Sequence, residues 1–386
     1  MNDTLKRAER ILPDIIKWRR HIHENAELSF CEHGTAGYIA SVLDRFGIPY
    51  RSVAGTGILA RVDGAVADPV RPVVLRADTD ALPIHESTGL EYASRNGAMH
   101  ACGHDIHSAA LLGALALMRE NASDFKGTVL GLFQPGEELH PGGASKVLGE
   151  GIFDGMQPCA FLGQHVSPEL EVGTFGFHCG TFMASSDEVH IIVRGRGGHS
   201  AQPYLLADPV VASAAIITAL QQVVSRNGDG MTPSVLSIGR VIADGATNVI
   251  PDEVYMNGTF RTMGEEWRAA AKMRIREIAE NTAKAYGVGT VVDIRDGYPC
   301  VYNDPQLTEI AAEAARKEFG ERSAVMIDRR MTAEDFGFYS ALYPSVFYRL
   351  GVGPTAPLHN AAFDPDERSL AYGTAMMATL ALRFMK

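Results

Sequence analysis

The chain alternates short, mainly apolar runs with longer segments of helical periodicity, and this alternation strongly limits its possible folds. Successive side chains of a strand point to opposite faces, so an unbroken apolar run predicts a strand buried on both faces. Such runs are Val73–Ala77, Thr128–Phe133 and Ala160–Gly163, and an Ala/Leu-rich helical pattern, Ala109–Met118, lies between the first two. Strands of this kind, connected through helices, predict a mostly parallel central sheet flanked by helices, which is an α/β fold.

The pattern changes from about Ser185 onwards. Strands with polar/apolar alternation replace the apolar runs, and two helices are interleaved with them. One helix is predicted to begin at Asp208-Pro209, with an acidic N-cap and a first-turn proline, and the other follows a capping box, Thr262–Glu265. The predicted strands are Glu188–Arg194, Ser234–Ile242, Val254–Arg261 and Thr290–Ile294. The order strand–helix–strand–strand–helix–strand is that of a ferredoxin-like α+β domain.

The alternating α/β pattern returns after this segment, so the small domain is predicted to be inserted within the larger one. With 386 residues the chain exceeds the about 250–300 residues over which a single hydrophobic core grows efficiently. The predicted boundaries are residues 1–183 and 297–386 for a discontinuous catalytic domain, and residues 184–296 for the insertion.

Charge and hydropathy exclude several classes of partner. The net charge of −11 argues against nucleic acid and anionic membranes, which attract clustered Lys and Arg. No apolar run approaches the ~20 residues of a membrane span. The first ten residues form a charged helical pattern without an apolar stretch, which predicts no secretory signal and a cytoplasmic protein.

The densest group of reactive side chains is the segment Met99–Ser108, which contains one thiol and three imidazoles just ahead of the predicted helix. Cys102 and His104 are separated by one glycine, which lets the backbone fold tightly enough for both to reach one metal ion. The alternative is a histidine-rich helix start that binds nothing.

Further polar side chains follow the predicted buried strands, where ligands of α/β sheets gather. Glu137 and Glu138 follow one strand, and such a pair favours one metal ligand beside one general base, or else a solvated acidic turn. Asp78 and Asp80 follow another strand, and one of them is a candidate anchor for a ligating histidine.

Two isolated histidines complete a possible ligand set. His165 follows the strand of Ala160–Gly163, and His359 lies in a loop after an apolar strand that ends at Leu350. Each alone is more often a surface or hydrogen-bonded residue. Together with Cys102, His104 and a glutamate they suit one or two borderline-soft divalent ions.

Seven segments, matched in order and register, resemble the dinuclear metal-dependent aminoacylase/carboxypeptidase G superfamily. The branch is the amidohydrolases that include hippurate hydrolase, N-acyl-amino-acid amidohydrolases and auxin-conjugate hydrolases. The segments are Trp18–His23, Arg76–Pro83, Met99–Asp105, Phe133–Glu138, Gly197–Pro203, Ala333–Phe336 and Leu358–His359.

The resemblance implies roles for individual residues. Cys102 would bridge two divalent ions (Zn²⁺, or Mn²⁺, Co²⁺ or Ni²⁺), where other branches use an aspartate. Glu137 would be the general base and acid. Glu138 and His359 would complete one metal shell, and His104 and His165 would complete the other. Of the two aspartates that follow the first buried strand, Asp80 is the one predicted to anchor a ligating histidine.

The same resemblance assigns the insertion to substrate binding and dimerisation. His199, Asn248 and Arg261 are similar to residues of a lid domain that bind the substrate carboxylate and the oxyanion. The residues matching His199 and Asn248 typically serve the partner subunit's active site, which implies a homodimer, or a tetramer, formed through the inserted domain.

The expected activity is metal-dependent hydrolysis of the amide bond of N-acyl-amino acids, such as N-acetyl or N-benzoyl derivatives. The first alternative is a dipeptidase, a carboxypeptidase or an N-acetyl-diaminopimelate-type deacetylase on the same scaffold. The others are a metal-independent hydrolase with Cys102 as nucleophile and His104 or His107 as base, and a catalytically silent metal-binding protein.

Overall fold

The structure is a computed structural model that describes residues 4–385, so the first three residues of the charged N-terminal pattern lie outside it. The chain forms two compact units. The larger unit comprises Met1–Phe182, Val301–Arg329 and Asp335–Lys386, and the inserted unit comprises Met183–Cys300 and Arg330–Glu334. No helix of the described residues combines the length and the apolarity that crossing a bilayer requires.

The described residues form sixteen strands and nine α-helices. The strands are β1 (Tyr50–Val53), β2 (Gly57–Asp63), β3 (Val73–Asp78), β4 (Thr128–Gln134), β5 (Ala160–Ser167), β6 (Phe175–Phe177), β7 (Gly180–Met183), β8 (Asp187–Arg194), β9 (Gly198–His199), β10 (Ser234–Ile242), β11 (Val249–Ile250), β12 (Glu253–Thr262), β13 (Gly289–Asp296), β14 (Val301–Asn303), β15 (Ala324–Met326) and β16 (Ser345–Gly351). The helices are α1 (Thr4–Glu24), α2 (His33–Arg45), α3 (His104–Glu120), α4 (Gly143–Gly149), α5 (Pro209–Gln222), α6 (Glu265–Ala285), α7 (Pro305–Phe319), α8 (Gly337–Ser340) and α9 (Ser369–Phe384).

The larger unit is built on an eight-stranded sheet in the order β1-β2-β4-β3-β5-β16-β6-β15. Its four central strands, β4, β3, β5 and β16, are mutually parallel, and every residue in them is buried. The prediction of a mostly parallel sheet flanked by helices is therefore confirmed. Because the central strands run in one direction, the segments after β3, β4 and β16 and the end of β5 lie at one edge of the sheet.

Helix α3 begins at His104, five residues earlier than the apolar pattern indicates, so His104 and His107 belong to the helix itself. The turn before it depends on Gly103, whose φ is +81°. A Cβ atom on Gly103 would lie 2.5 Å from Cγ2 of Val166, so only glycine fits between Cys102 and His104. The residues of α3 from His104 to Met118 are all buried, which fixes the helix firmly against its neighbours.

The inserted unit has the ferredoxin-like arrangement that its sequence pattern predicts. The strands of its main sheet are antiparallel in the order β10-β12-β8-β13, and α5 and α6 are the two interleaved helices. Apolar side chains of β8, including Val189 and Ile191, form a core with Ile216 of α5 and Ile275 of α6. This unit therefore has a hydrophobic core of its own.

Helix starts in the inserted unit were only partly predictable. Asp208 caps α5 as expected, because its carboxylate accepts the backbone N–H groups of Val210 and Val211. The capping box at Thr262–Glu265 is wrong. Thr262 is the last residue of β12, and the N-cap is Gly264, which has no side chain to cap the helix. The Glu265 carboxylate, the other half of the predicted box, accepts the N–H of Cys300 at 2.6 Å.

The predicted insertion, residues 184–296, lies within the inserted unit. That unit also includes Met183, residues 297–300 and Arg330–Glu334, all of which were predicted to belong to the catalytic domain. The shift at 183 and 297–300 is a few residues at each boundary, whereas Arg330–Glu334 is a separate segment. The reason is backbone pairing. The N–H of Ala184 donates to the carbonyl oxygens of Arg330 and Thr332, both at 3.1 Å. Short polar segments that dock through such bonds carry no hydrophobic pattern that would reveal them.

Loss of one buried ion pair should destabilise the inserted unit strongly. Arg268 donates from Nε and Nη2 to both oxygens of the fully buried Asp187, at 2.8 and 2.7 Å. Arg268→Met removes both of these hydrogen bonds from a buried carboxylate, and Nζ of Lys272, 3.8 Å from Oδ1, is too far away to replace them. The loss costs about 3–5 kcal/mol of unfolding free energy. Denaturant unfolding measures the loss. The control is Arg274→Met, which removes an exposed pair with Glu277 and should cost under about 1 kcal/mol. Equal losses in the two variants would contradict this account.

Candidate metal centre

The structure brings the five predicted metal ligands together at the edge of the sheet where β3, β4, β5 and β16 end. Cys102, His104 and His165 form one group in which the possible ligand atoms lie within 4.8 Å of one another. Cys102, Glu138 and His359 form a second such group. The two groups share Cys102, so its sulfur is placed where it could contact two ions at once.

Distances between individual atoms agree with a shared centre. Sγ of Cys102 lies 3.5 Å from Nε2 of His165. Oε1 of Glu138 lies 3.4 Å from Nε2 of His359 and 3.9 Å from Nε2 of His104. Glu137 also lies here, because one of its carboxylate oxygens is within 4.8 Å of ligand atoms of both His104 and Glu138. The predicted base and the predicted ligands therefore occupy one small volume.

Hydrogen bonds orient two of the imidazoles towards this centre. Nδ1 of His104 contacts the backbone oxygen of Asp80 at 2.9 Å and its carboxylate at 3.2 Å, and Nδ1 of His165 contacts the carbonyl oxygen of Val166 at 2.8 Å. A carbonyl oxygen only accepts, so Nδ1 carries the proton in each ring and Nε2 has a free lone pair. Metal-ligating histidines have this arrangement.

Two buried polar atoms at the centre form no well-aligned hydrogen bond within residues 4–385. They are Nε2 of His104 and Oε1 of Glu138, although Oε1 lies 3.4 Å from Nε2 of His359. A buried polar atom without a partner is costly, and a cation would satisfy both atoms, which have the imidazole and carboxylate chemistry of metal ligands. The side chains present therefore fit a site for divalent ions.

The electrostatics of Cys102 disfavour the alternative in which its sulfur is a nucleophile without a metal. Burial and the negative charge of Glu138 raise the pKa of the Cys102 thiol to about 12. Such a thiol stays protonated at neutral pH and is a poor nucleophile. A bound cation, in contrast, deprotonates a coordinating thiol.

Asp80 connects two of the predicted ligands. Its carboxylate faces Nδ1 of His104, and its Oδ2 accepts the backbone N–H of Glu138 at 2.9 Å. Burial would raise the pKa of Asp80, but the hydrogen bond with His104 and further hydrogen bonds lower it below its ordinary value. Asp80 therefore remains ionised and can orient both His104 and the backbone of Glu138.

A buried network beneath the centre was not identified from the sequence. Asp78, His104 and His107 are close enough to form another possible ligand group. Both ring nitrogens of His107 are already engaged, however, because Nδ1 contacts Asp78 at 2.6 Å and Nε2 accepts the N–H of Val166 at 2.9 Å. Arg76 donates to Asp78 and to Asp335, both at 2.7 Å. One signal was available: Arg76 is a charged residue inside a run that is otherwise apolar and buried, and such a residue requires buried partners.

The residues predicted to bind substrate lie in the inserted unit. His199 is in β9 and pairs with Val249 of β11, and the N–H of Ser200 donates to the carbonyl oxygen of Asn248 at 3.1 Å. His199 and Asn248 are therefore neighbours, and both are exposed. Arg261 is in the other sheet of this unit, in β12, where it donates to the carbonyl oxygen of Met331 at 3.2 Å.

Most of the chain matches one known protein family. Residues 74–383 match the profile of the peptidase family M20/M25/M40, which is most of the chain. The chain belongs to the M20 family. The resemblance found from the seven motifs is thereby confirmed.

Relatives within the M20 family align with almost the full length of the chain. The N-acetylcysteine deacetylase of Bacillus subtilis (strain 168) is 39% identical over 371 residues, which is 95% of this chain and 96% of the relative. An N-acetyldiaminopimelate deacetylase of Pediococcus pentosaceus is 36% identical over 370 residues, with 93% and 94% coverage.

A solved M20 structure has the same fold. The YXEP protein of Bacillus subtilis is described as a dinuclear metal-binding peptidase of the M20 family. It superposes with a TM-score of 0.85 at 35% identity, over 97% of this chain and 98% of that protein. The M20 fold and the two candidate ligand groups around Cys102 support a centre for two divalent ions.

Proposed function

We propose that the chain is a metal-dependent amidohydrolase that cleaves the amide bond of N-acyl-amino acids. The observation that carries this proposal is the sharing of Cys102 by two ligand groups, with Glu137 beside them. A binding site needs ligands only. A second carboxylate next to Glu138 is what a hydrolytic centre requires, because a base must accept the proton of the attacking water.

In this proposal Glu138 and His359 would hold one divalent ion, His104 and His165 would hold the other, and Cys102 would be available to both. Thiolate, imidazole and carboxylate together suit Zn²⁺, and also Mn²⁺, Co²⁺ or Ni²⁺. When bound, two such cations lower the pKa of a water molecule and polarise the amide carbonyl.

In this proposal Glu137 transfers a proton from the attacking water to the nitrogen of the amide. It is buried, 7% exposed, and close to His104 and Glu138. Its carboxylate takes a proton from water as the oxygen–carbon bond forms, and gives it to the nitrogen as the carbon–nitrogen bond breaks. The products are a carboxylic acid and a free amino acid, and Glu137 returns to its ionised form.

We assign substrate binding to the inserted unit. His199 would stabilise the negative charge that develops on the carbonyl oxygen, with Asn248 beside it. Arg261, whose guanidinium is planar, suits a two-point contact with the free carboxylate of the amino acid. Burial lowers the pKa of Arg261, but an arginine remains charged at any physiological pH.

A homodimer formed through the inserted unit is part of this proposal. β10 is an edge strand of the four-stranded sheet, and Val235, Val241 and Ile242 on it are exposed. Exposed apolar edge strands pair readily with a second copy. Sedimentation equilibrium should therefore show a dimer, and a monomer at micromolar concentration would contradict the assignment.

Two kinds of acyl group, acetyl and benzoyl, fit the proposed reaction. The relatives named above act on N-acetylcysteine and N-acetyldiaminopimelate, so a deacetylase fits as well as a hippurate hydrolase-like enzyme. Both are hydrolases of a secondary amide next to a carboxylate. A dipeptidase or carboxypeptidase is the remaining alternative.

The test is hydrolysis of a library of N-acetyl- and N-benzoyl-amino acids and dipeptides, with added Mn²⁺ or Zn²⁺. We expect turnover of N-acyl-amino acids that is lost with EDTA or phenanthroline and restored by metal. Turnover of dipeptides alone would favour the peptidase alternative. Activity that resists chelators and is abolished by iodoacetamide would support the cysteine hydrolase and contradict the proposal.

Arg261→Ala should impair the hydrolysis of substrates with a free carboxylate. Loss of charge-assisted hydrogen bonds worth about 1.5–3 kcal/mol lowers kcat/KM by about 10- to 100-fold. The same substrates with an amidated carboxyl group should be cleaved equally by variant and wild type. Arg295→Ala, at an exposed arginine of the same unit, is the control. An equal loss on both substrate forms would contradict a carboxylate contact.

A further inference from the structure

The segment that connects α1 to α2 contacts both Asp80 and Gly136, which lie next to residues of the metal centre. We call residues 29–32 the strap. Its first residue, Ser29, donates from Oγ to Oδ2 of Asp80 at 2.7 Å. Its last residue, Glu32, accepts the backbone N–H of Gly136 on Oε1 at 2.8 Å. Glu32 is fully buried, and the strap belongs to the same unit as the centre.

The second oxygen of Glu32 is also engaged. Oγ1 of Thr56 donates to Oε2 of Glu32 at 2.6 Å. The Glu32 carboxylate therefore accepts one hydrogen bond from Thr56 and another from Gly136. Both bonds are made inside the protein, where a hydrogen bond that is lost is not replaced by water.

Phe30 adds a further contact between the strap and the backbone of Gly136, just before Glu137 and Glu138. Its backbone has a left-handed conformation with φ of +63°, which is uncommon for a bulky residue. A Cβ atom on Gly136 would lie 2.3 Å from Cε1 of Phe30, so the ring lies directly against the Gly136 backbone. Nζ of Lys146 lies 3.4 Å from the centre of the Phe30 ring and stabilises its position.

These contacts restrain the backbone N–H groups of Gly136 and Glu138, the residues on either side of Glu137. The N–H of Gly136 is held by Glu32 directly. The N–H of Glu138 is held by Oδ2 of Asp80, and Ser29 donates to that same oxygen. Glu137 therefore lies between two backbone groups that the strap fixes, one directly and one through Asp80.

We infer that Glu32 and Ser29 are positioning residues for the Glu137–Glu138 turn. Neither touches the reacting atoms. They keep the Glu137 carboxylate within reach of the attacking water and Glu138 directed at its ion, and small misplacements at such sites cost large factors in rate. This inference rests on the proposed function for its effect on catalysis, but the restraint of the turn can be measured without any substrate.

The test compares Glu32→Ala, Glu32→Gln and Ser29→Ala with the wild type. Hydrogen exchange in overlapping peptides across residues 130–140 reports the Gly136 amide, and steady-state kinetics, metal content and thermal unfolding are measured on the same samples. Asp304→Ala is the matched control, because Asp304 also accepts a backbone N–H, that of Leu307 at 2.9 Å, but at the start of α7.

For Glu32→Ala we expect exchange at Gly136 at least tenfold faster and kcat at least tenfold lower, with KM changed less than threefold. Glu32→Gln should restore both, since its amide oxygen still accepts the N–H. Ser29→Ala should lower kcat at least threefold, and it supplies the kinetic test if Glu32→Ala does not fold. Asp304→Ala should lower the unfolding temperature without changing kcat.

Unchanged exchange and kcat in Glu32→Ala, or a Glu32→Gln variant as impaired as Glu32→Ala, would overturn the inference. Failure of the proposed function is distinguishable from this. In that case the wild type hydrolyses none of the N-acyl-amino acids, while the exchange rates at Gly136 still decide whether the strap restrains the turn.

Discussion

Glu137→Gln should lower kcat by about 10²–10⁴-fold while the metal content of the protein stays the same. The amide is nearly isosteric with the carboxylate but cannot accept a proton from water. Glu137 is not one of the five ligands, and its neighbour Glu138 keeps its own contacts with the centre. Steady-state kinetics and elemental analysis on one preparation measure both quantities.

The control for this variant is Glu321→Gln, the same chemical change at an exposed residue of the larger unit. It should have wild-type kinetics. Near-normal kcat in Glu137→Gln would rule out Glu137 as the general base. Loss of metal together with loss of turnover would instead show that Glu137 is a ligand.

Cys102→Ala should remove both metal ions and all hydrolysis. Cys102 is the only residue shared by the two predicted ligand groups, so its loss leaves two ligands for each ion. We expect affinity for both ions to fall by more than the about 10- to 100-fold that loss of an outer hydrogen-bonding partner costs. Titration calorimetry with Zn²⁺ or Mn²⁺, alongside the activity assay, measures the change.

Two further variants make this result specific. Cys102→Asp should recover part of the metal binding, because a carboxylate can also contact two ions, whereas the nucleophile hypothesis predicts no recovery of activity. Cys179→Ala, at an exposed thiol, should behave as the wild type. A Cys102→Ala variant that retained two ions and wild-type kcat would contradict the bridging role.

The strands and strand ends that follow from the pattern of apolar side chains along the sequence could be predicted. Val73–Ala77 and the other mainly apolar runs are central parallel strands, because only a strand covered on both faces buries every side chain. Ligand candidates at the ends of those strands, such as Glu138 and His165, could be predicted for the same reason. Parallel strands bring their carboxyl ends to one edge whatever the length of chain between them.

Features that depend on hydrogen bonds between distant residues could not be predicted. Nothing near Glu32 in the sequence indicates that its carboxylate holds the N–H of Gly136, 104 residues away. The capping box at Thr262–Glu265 was misleading because a tertiary partner, the N–H of Cys300, competes for the Glu265 carboxylate. Local patterns identify which groups can form hydrogen bonds, and the fold decides with which partners.

Anomalous diffraction from crystals grown with Zn²⁺ or Mn²⁺ tests the two-ion centre most directly. We predict two peaks per chain at the edge of the central sheet, one contacted by Glu138 and His359, the other by His104 and His165, and both by Cys102. A single peak that Cys102 does not contact, or no peak among these five side chains, would contradict the account.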